Sequence, residues 1–360
     1  MAKIDIYFDA MLENGASDLH LSSDNSPIIR IHGELVSLDD SRALQHESLK
    51  EILSEICPKD KMEHFEQTGD VDFGYELPGR ARFRANFFNQ KNGIAAVFRT
   101  IPTRVLTTDE LGLPDICKKF AKLTKGLVLV TGPTGSGKST TLAAIIDYAN
   151  KVRPDHILTI EDPIEFVHQS VKALINHREV GLHTKSFASA LRGALREDPD
   201  IILVGEMRDL ETITLALEAA ATGHLVFGTL HTPSAAKTID RIIDVFPASQ
   251  QNQIRTTLSE SIKGVIAQNL FKRVDKPGRI AALEILVVDT PIANMIREEK
   301  TYQIPGMIEI GRKKGNVPLD AAIMELLQAG RIGADEAFEK CIDKKKFVPF
   351  LMREPEPWEL

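Results

Sequence analysis

The chain has 360 residues, more than the roughly 100–200 of most single domains, so its length favours two domains. Hydrophobic residues make up 43% and charged residues 26% of the chain, a composition typical of folded proteins. The 44 basic and 51 acidic residues give a net charge of -7, so no overall basic field attracts anionic polymers, and we predict no nucleic-acid partner.

Scattered cysteines and short apolar runs narrow the class of protein further. Cys57, Cys117 and Cys341 lie far apart, which argues against a disulfide framework or a four-cysteine zinc site. The longest apolar runs, such as residues 127–130 and 201–204, are too short to cross a bilayer. We therefore predict a cytoplasmic protein that reaches a membrane only through a partner.

The N-terminal part of the chain predicts a small α+β domain. Apolar residues between Ile4 and Leu12 recur at helical spacing, and Gly15 follows as a helix stop. Residues 47–66 return to helical spacing. Alternating patterns predict antiparallel strands at residues 17–22, 29–31, 34–36, 71–75, 80–87 and 94–100. We assign residues 1–101 to this domain.

The pattern changes after a polar segment that contains proline, residues 102–112, which we predict to be an interdomain linker. Short apolar strands then alternate with helical stretches, which indicates an α/β fold with a parallel-rich sheet covered by helices on both faces. The predicted strands are residues 127–130, 157–160, 201–204 and 225–230, and the terminal helices are 318–327 and 334–342. We assign residues 113–346 to this second domain and residues 347–360 to a C-terminal tail.

Residues 132–139, Gly-Pro-Thr-Gly-Ser-Gly-Lys-Ser, match the pattern of a phosphate-binding loop. Glycines such as Gly132, Gly135 and Gly137 let backbone N–H groups converge on phosphate oxygens. Lys138 would contact the β- and γ-phosphates, and the Ser139 hydroxyl would bind Mg²⁺. The loop lies between an apolar strand and a helical stretch, so the helix N-terminus points at the anion. The pattern predicts an ATP site; the alternative is a glycine turn with an incidental lysine.

Carboxylates follow two of the predicted strands. Glu206 comes after the apolar run 201–204, where open α/β sheets bind ligands, and is the candidate carboxylate on the Mg²⁺ side. Its alternative role is that of a solvated or capping acid. Glu161, Asp162 and Glu165 follow the strand at 157–160, and we expect one of them to orient the attacking water. These residues alone leave the choice among the three open, and a structural acidic loop is the alternative.

Two histidines flank the apolar strand at 225–230. His231 follows its carboxyl end and is a candidate contact of the γ-phosphate, whereas His224 precedes the strand. A structural role is the alternative for each histidine. In the N-terminal domain, Arg82 and Arg84 share one face of a predicted strand, which usually means a solvated face. The functional alternative is that these arginines reach the nucleotide of an adjacent subunit.

Taken together, these features resemble the type IV pilus retraction ATPases, the PilT-like members of the secretion ATPase family, over nearly the full chain. The resemblance rests on six motifs in a fixed order. They are GASDLHLS at 15–22, ARFRANFF at 81–88, GPTGSGKSTT at 132–141, TIEDPIEFVH at 159–168, ALREDPDIILVGEMRD at 194–209 and TGHLVFGTLHT at 222–232.

This resemblance implies a homohexameric ring in which a PAS-like N-terminal domain precedes a RecA-like P-loop ATPase domain. It implies a motor that hydrolyses ATP with Mg²⁺ to retract pili, acting on an inner-membrane platform protein at the base of the pilus machine. Glu165 would be the general base, and Glu206 would hold Mg²⁺ together with Ser139, partly through water. The implied nucleotide contacts are Gly132, Thr134, Gly135, Ser136, Gly137, Lys138, Ser139, Thr140, His231, His224, Arg82, Arg84 and Arg99, with Arg208 and Arg241 as further candidates.

Two features bear on the type of motor. Assembly ATPases of this family generally carry a longer N-terminal region and a four-cysteine zinc motif, which three scattered cysteines do not supply. The C-terminal signature of the retraction family corresponds here to residues 290–298, Thr-Pro-Ile-Ala-Asn-Met-Ile-Arg-Glu. This run is one residue shorter than the signature and lacks its first arginine, which leaves an accessory retraction paralogue as an alternative. A DNA-translocating RecA-like motor and a nucleotide-binding regulator without useful turnover are rival functions from two different classes.

Overall fold

The structure, a computed structural model, describes residues 2–31, 33–38, 43–101 and 104–359. The chain divides into two compact units, Met1–Arg104 with Pro163–Phe166, and Val105–Asp162 with Val167–Leu360. The predicted linker, residues 102–112, overlaps this division, and its Pro102 and Thr103 lie outside the described residues. Within the described residues no helix is both long enough and apolar enough to span a bilayer.

The first unit is a single antiparallel sheet with helices packed on it. The strands follow the order β3-β2-β1-β6-β5-β4 across the sheet, and every neighbouring pair is antiparallel. The elements are α1 (Asp5–Glu13), β1 (Asp18–Ser22), β2 (Ile28–Ile31), β3 (Glu34–Ser37), α2 (His46–Ser54), α3 (Lys59–Thr68), β4 (Asp70–Leu77), β5 (Ala81–Gln90) and β6 (Gly93–Ile101).

The core of this unit is rich in phenylalanine. The Phe8 ring of α1 stacks on Phe83 of β5 with centroids 4.2 Å apart, and it meets Phe98 of β6 edge-on at 5.1 Å. These offset and edge-on contacts are the geometries that aromatic quadrupoles favour, and the rings together bury a large apolar area. The predicted helix is confirmed: α1 ends at Glu13, and Gly15 has a positive φ of 60° that few other residues adopt.

The second unit is an α/β domain built on a larger sheet. Its strands are β7 (Gly126–Thr131), β8 (His156–Glu161), β9 (Leu174–Glu179), β10 (Ile201–Val204), β11 (Leu225–Leu230), β12 (Ile262–Lys272) and β13 (Arg279–Val287). Its helices are α4 (Asp115–Ala121), α5 (Lys138–Val152), α6 (Phe187–Ala194), α7 (Leu210–Thr222), α8 (Ala235–Asp244), α9 (Ala248–Ser261), α10 (Thr290–Arg297), α11 (Ile304–Ile310), α12 (Leu319–Gln328), α13 (Ala334–Lys340) and α14 (Lys344–Phe347).

The order of the strands determines which loops meet. The sheet runs β13-β12-β7-β11-β10-β8-β9, and only the β12–β13 pair is antiparallel. Each residue of β7, β10 and β11 is buried, as expected of strands covered on both faces. Because β7, β8, β10 and β11 are parallel neighbours, their carboxyl ends lie at one edge of the sheet.

The structure confirms the four central parallel strands, whereas sequence reasoning missed β9, β12 and β13. β9 contains charged and polar residues because it forms the edge of the sheet and only part of it is buried. β12 and β13 follow each other closely and pair antiparallel, a connection that the alternation of single strands with helices did not indicate. The domain boundaries 1–101, 113–346 and 347–360 remain predictions.

Candidate phosphate-binding site

The loop at 132–139 connects β7 to α5 at the carboxyl edge of the larger sheet. Gly132, Gly135 and Gly137 have φ values of 141°, 77° and 88°, a range that residues with a Cβ rarely adopt. The pattern of three glycines is therefore required by the backbone path. Helix α5 begins at Lys138, so the positive end of its macrodipole lies at the loop.

Lys138 bends back across this loop. Its side chain donates from Nζ to the carbonyl oxygens of Gly132 at 2.9 Å and Pro133 at 3.1 Å. The residue is only 9% exposed, so the ammonium lies within the curve of the loop. Among the described residues, no hydrogen-bond partner reaches the buried Ser136 Oγ, whereas Thr134 and Gly135 are exposed and Ser139 and Thr140 are half-buried.

Glu206 and His231 lie beside the phosphate loop. The Nε2 atom of His231 is 3.0 Å from Glu206 Oε1, and its Nδ1 atom is 3.5 Å from Thr134 Oγ1. Glu206 also accepts from Nε of Arg208, one of the two further candidates that the family resemblance indicates. The imidazole thus bridges a carboxylate after β10 and a hydroxyl of the loop after β7. The structure brings Glu206, His231 and Thr134 together.

The charge state of Glu206 follows from its surroundings. Burial by itself would raise the pKa of this carboxyl, but the hydrogen bond from Arg208 and the positive charges of Arg208, His231 and Lys138 outweigh burial. The pKa of Glu206 is therefore held below its ordinary value. The group is an ionised carboxylate at neutral pH, which is the form that binds a hard divalent cation.

Neighbouring strands fix the turn that carries Glu206. Gly205 donates its backbone N–H to Ile160 at the end of β8 at 2.8 Å. Thr229 of β11 donates from Oγ1 to the Gly205 carbonyl at 2.5 Å, and its own carbonyl accepts from Met207 N–H at 3.0 Å. The turn is therefore anchored on both sides, and Glu206 is placed by backbone bonds to two strands.

The three acidic candidates after β8 differ in their placement. Glu161 ends β8 as a buried residue, with its Oε1 atom 3.9 Å from Nδ1 of His177. Asp162 is exposed and also belongs to the second unit, whereas the half-buried Glu165 lies in Pro163–Phe166 and groups with the first unit. Burial and the neighbouring His177 lower the pKa of His168 to about 4, so that imidazole is neutral at pH 7.

His224 lies apart from this cluster within the chain. It precedes β11, and its carbonyl accepts from Gly126 N–H at the start of β7 at 3.0 Å. Its Nδ1 atom lies 3.0 Å from the Ala219 carbonyl oxygen at the end of α7. His224 and His231 lie on either side of the six residues of β11, seven steps apart, so about 23 Å separates them at 3.3 Å per residue. The structure therefore places His224 at the opposite edge of the sheet from the phosphate loop.

The predicted arginines occupy the solvent side of the smaller sheet. Residues of β5 alternate between buried and more exposed, with Arg82 and Arg84 on the outer face, as predicted. Arg84 is paired across the strands with Arg99 of β6, and Arg99 donates from Nε to Asp18 Oδ1 at 2.8 Å. Arg84 lies 3.6 Å from Asp72 Oδ1. Arg84 and Arg99 form a basic patch that neighbouring carboxylates hold in place.

Sequence reasoning missed Gln268, which supports the phosphate loop from β12. Its Nε2 donates to the Ser136 carbonyl at 2.5 Å, and its Oε1 accepts from Thr141 Oγ1 at 2.7 Å. The available signal was the amide of Gln268 directly after the run Gly-Val-Ile-Ala at 264–267, because polar side chains in buried strands are uncommon unless they are bonded.

The residues present fit a nucleotide with Mg²⁺. The exposed Gly135 leaves open space at its Cα, the Ser136 hydroxyl is buried and unbonded within the described chain, and Lys138 supplies a cation inside the loop. Ser139 and the ionised Glu206 offer the oxygen ligands that Mg²⁺ prefers. This donor set matches phosphate recognition and a hard cation together.

Comparisons with known proteins show which family the chain resembles. The chain is 53% identical over 328 residues to the type IV pilus retraction ATPase PilT of Pseudomonas aeruginosa, covering 91% of this chain and 95% of that protein. It is 37% identical over 328 residues to the type IV pilus ATPase PilU of the same organism, covering 91% and 85%. A crystal structure of the pilus retraction motor PilT with bound ADP superposes with a TM-score of 0.89 at 44% identity, covering 96% of this chain and 98% of that chain.

These similarities confirm the predicted fold class, a RecA-like P-loop core with a parallel-rich sheet preceded by a smaller antiparallel-sheet domain. The family model described as Type II/IV secretion system protein matches residues 2–315, which include both sheets and the phosphate loop. The chain therefore belongs to the Type II/IV secretion system protein family.

Proposed function

We propose that this protein is a Mg²⁺-dependent ATPase motor that powers type IV pilus retraction. The observation that carries the proposal is the cluster of Lys138, Glu206 and His231 at the carboxyl edge of one sheet. A phosphate loop with its lysine and an ionised carboxylate beside it are groups that P-loop nucleotide hydrolysis uses, and the His231 imidazole contacts both. The 53% identity to a pilus retraction ATPase, over nearly the whole of both chains, supports a motor that retracts pili over one that assembles them.

Within this proposal each residue has a task. The backbone N–H groups of the loop and Lys138 bind the phosphates of ATP. Ser139 and Glu206 would hold Mg²⁺, partly through water, and the ion would supply positive charge beside the phosphate oxygens. His231 orients Glu206 and, through Thr134, links it to the loop. Glu165 accepts a proton from the attacking water, a role that rests on the family resemblance.

The remaining parts of the proposal concern assembly and location. The protein forms a homohexameric ring in which Arg82, Arg84 and Arg99 face a nucleotide, as the resemblance implies. The ring acts on an inner-membrane platform protein at the cytoplasmic base of the pilus machine, and it meets the membrane only through that partner. The absence of an overall basic charge supports a motor that acts on protein and not on nucleic acid.

Replacement of the loop lysine tests the enzymatic part of this proposal. Lys138→Ala removes the cation from the loop, and we expect ATP turnover to fall at least about 100-fold because such charge stabilisation is a large term in phosphoryl transfer. Phosphate release by the purified full chain is the measurement, with Lys151→Ala on the exposed side of α5 as the control. Turnover at the wild-type rate in Lys138→Ala would refute the site.

Deletion of the gene tests whether the motor retracts pili or assembles them. A retraction motor that is lost should leave cells with pili that no longer twitch, and Glu206→Ala should fail to restore twitching. Cells without pili would contradict retraction and support assembly. An accessory retraction paralogue is supported if the deletion strain keeps part of its twitching. Turnover that DNA stimulates would instead favour a DNA-translocating motor.

A further inference from the structure

Gln268 is a polar side chain at a buried position of the central sheet. It follows Ala267, which pairs with Thr131 at the end of β7, so the glutamine lies beside the start of the phosphate loop. The residue is only 2% exposed. A buried amide is costly unless its donor and acceptor are bonded, so the partners of Gln268 indicate what the side chain does.

Both ends of this amide bond to the phosphate-loop region. Nε2 donates to the Ser136 carbonyl, and Oε1 accepts from the hydroxyl of Thr141 in the first turn of α5. Thr141 is itself only 2% exposed. A carbonyl oxygen can only accept, so the Ser136 carbonyl fixes Nε2 toward the loop, and the Thr141 hydroxyl then satisfies Oε1.

The bond to Ser136 determines the orientation of one peptide group. In a trans planar peptide the C=O and the following N–H point in opposite directions. Holding the Ser136 carbonyl on Gln268 therefore turns the Gly137 N–H away from β12 and toward the concave side of the loop. A Cβ at Gly137 would lie 2.8 Å from Gln268 Nε2, so the amide packs closely on this glycine, whose φ of 88° already favours glycine.

We propose that Gln268 is a positioning residue of the nucleotide site. It holds the Ser136–Gly137 peptide with its N–H toward the bound phosphate and keeps the loop in its binding conformation before the ligand arrives. Gln268 does not touch the nucleotide. This inference rests on the proposed ATP site and adds a residue from β12 to the residues that build it.

The test compares variants that change the amide without changing its size. Gln268→Glu replaces the donor by a carboxylate of the same shape, which repels the Ser136 carbonyl. Gln268→Met keeps the volume and removes both bonds. Thr141→Val removes the hydroxyl that is bonded to Oε1 of the amide, and Thr141→Ser keeps that hydroxyl. Asn269→Asp is the control, because it makes the same chemical change on the opposite face of the same strand.

The measurements are the dissociation constants of ADP and of pyrophosphate for the full chain, with the thermal unfolding midpoint of the free protein. We expect Gln268→Glu to weaken both ligands at least about tenfold, the range seen for groups that orient a ligand-binding residue. Gln268→Met should weaken them less. Thr141→Val should weaken binding in the wild-type background and have no further effect with Gln268→Met, as coupled residues behave. Thr141→Ser and Asn269→Asp should bind normally.

A folded Gln268→Glu protein that binds ADP as tightly as the wild type would overturn the proposal. So would a pattern in which the variants lower only the unfolding midpoint, since a purely structural glutamine would affect stability and not affinity. Failure of the ATP site itself would look different. In that case the wild type would not bind ADP, or Lys138→Ala would bind it equally well.

Discussion

At the scale of single residues, the site is organised by charge. Glu206 is kept ionised by Arg208, His231 and Lys138 although burial opposes its charge. In the first unit, Asp18 is 4% exposed and is likewise held ionised by its partners. In both places a carboxylate that is at least half-buried pairs with a basic group, His231 in one and Arg99 in the other. The positions of these functional side chains therefore depend on the protonation of acids.

The choice of catalytic base is testable by isosteric substitution. We expect Glu165→Gln to lower kcat at least about 100-fold while ATP binding persists, because a general base contributes roughly 10²–10⁴-fold. Glu161→Gln and Asp162→Asn should have smaller effects. Single-turnover hydrolysis and nucleotide affinity measured on the three proteins separate these outcomes. Loss of chemistry in Glu161→Gln alone would assign the base to the end of β8.

Asp18 predicts a pH-dependent contribution to stability. Burial raises the pKa of its carboxyl, but the hydrogen bonds from Ser17 and Arg99 and the charge of Arg99 lower the pKa by more than burial raises it. The folded pKa therefore lies below the ordinary value. The resulting stabilisation is complete above the unfolded pKa of about 4 and is lost as the pH falls through the folded pKa. Asp18→Asn should lower the free energy of unfolding by about 1.5–3 kcal/mol at pH 7.

Denaturant unfolding of the wild type and Asp18→Asn at pH 7 and at pH 3 checks this prediction, with the more exposed Asp72→Asn as the matched control. The difference between wild type and Asp18→Asn should shrink at the lower pH. A difference that stays constant with pH would mean that the carboxylate charge contributes nothing.

At the scale of elements, parallel strands place residues that are distant in sequence at one edge. The loop after β7, the turn after β10 and His231 after β11 are neighbours because these strands are neighbours. The turn is then fixed by the bond of Gly205 to β8 and by the bonds of Thr229, which lies in β11. The sheet therefore holds Glu206, the carboxylate that we propose binds Mg²⁺, in a fixed position.

Substitution of Thr229 tests whether the sheet positions Glu206 through this turn. Thr229→Val keeps the shape of a residue that is nearly fully buried and removes the hydroxyl that holds the Gly205 carbonyl. We expect kcat to fall about 10- to 100-fold, the range for groups that orient a metal ligand. The Mg²⁺ concentration for half-maximal turnover should rise as well. Thr229→Ser, which keeps the hydroxyl, should restore both, and unchanged Mg²⁺ dependence in Thr229→Val would contradict the role.

At the scale of the whole molecule, the residues named in the proposal are divided between the two units. The phosphate loop, Glu206 and His231 belong to the second unit, whereas the arginines of β5 and β6 belong to the first. In the proposed ring these arginines serve a nucleotide from outside the second unit. Rings that contain two kinds of variant subunit can show whether these arginines act within a subunit or between subunits.

Mixing two inactive variants tests the arginines. Arg84→Ala subunits keep an intact phosphate loop, and Lys138→Ala subunits keep intact arginines. If Arg84 acts between subunits, mixed rings should regain turnover, because some sites combine an intact loop with an intact arginine. Lys91→Ala, a charge loss at the β5–β6 turn, should be active by itself. Mixed rings that stay inactive, with Arg84→Ala also inactive alone, would place the arginine within the same subunit.

The sequence by itself determined the elements whose signals are local. The phosphate loop was readable because its glycines are required by backbone geometry, and the central strands were readable because burial on both faces makes them continuously apolar. The carboxylate at 206 and the histidine at 231 were found for the same reason, since each directly follows such a strand.

Only the tertiary structure decided which of these residues meet. Strand order joined His231 to Glu206 and Thr134 and placed His224 at the other edge, although the two histidines bracket the same strand. Gln268 lies 132 residues from Ser136, and no local pattern joins them. Contacts of that kind depend on how strands are ordered in the sheet, which is a property of the packed core and not of any single segment.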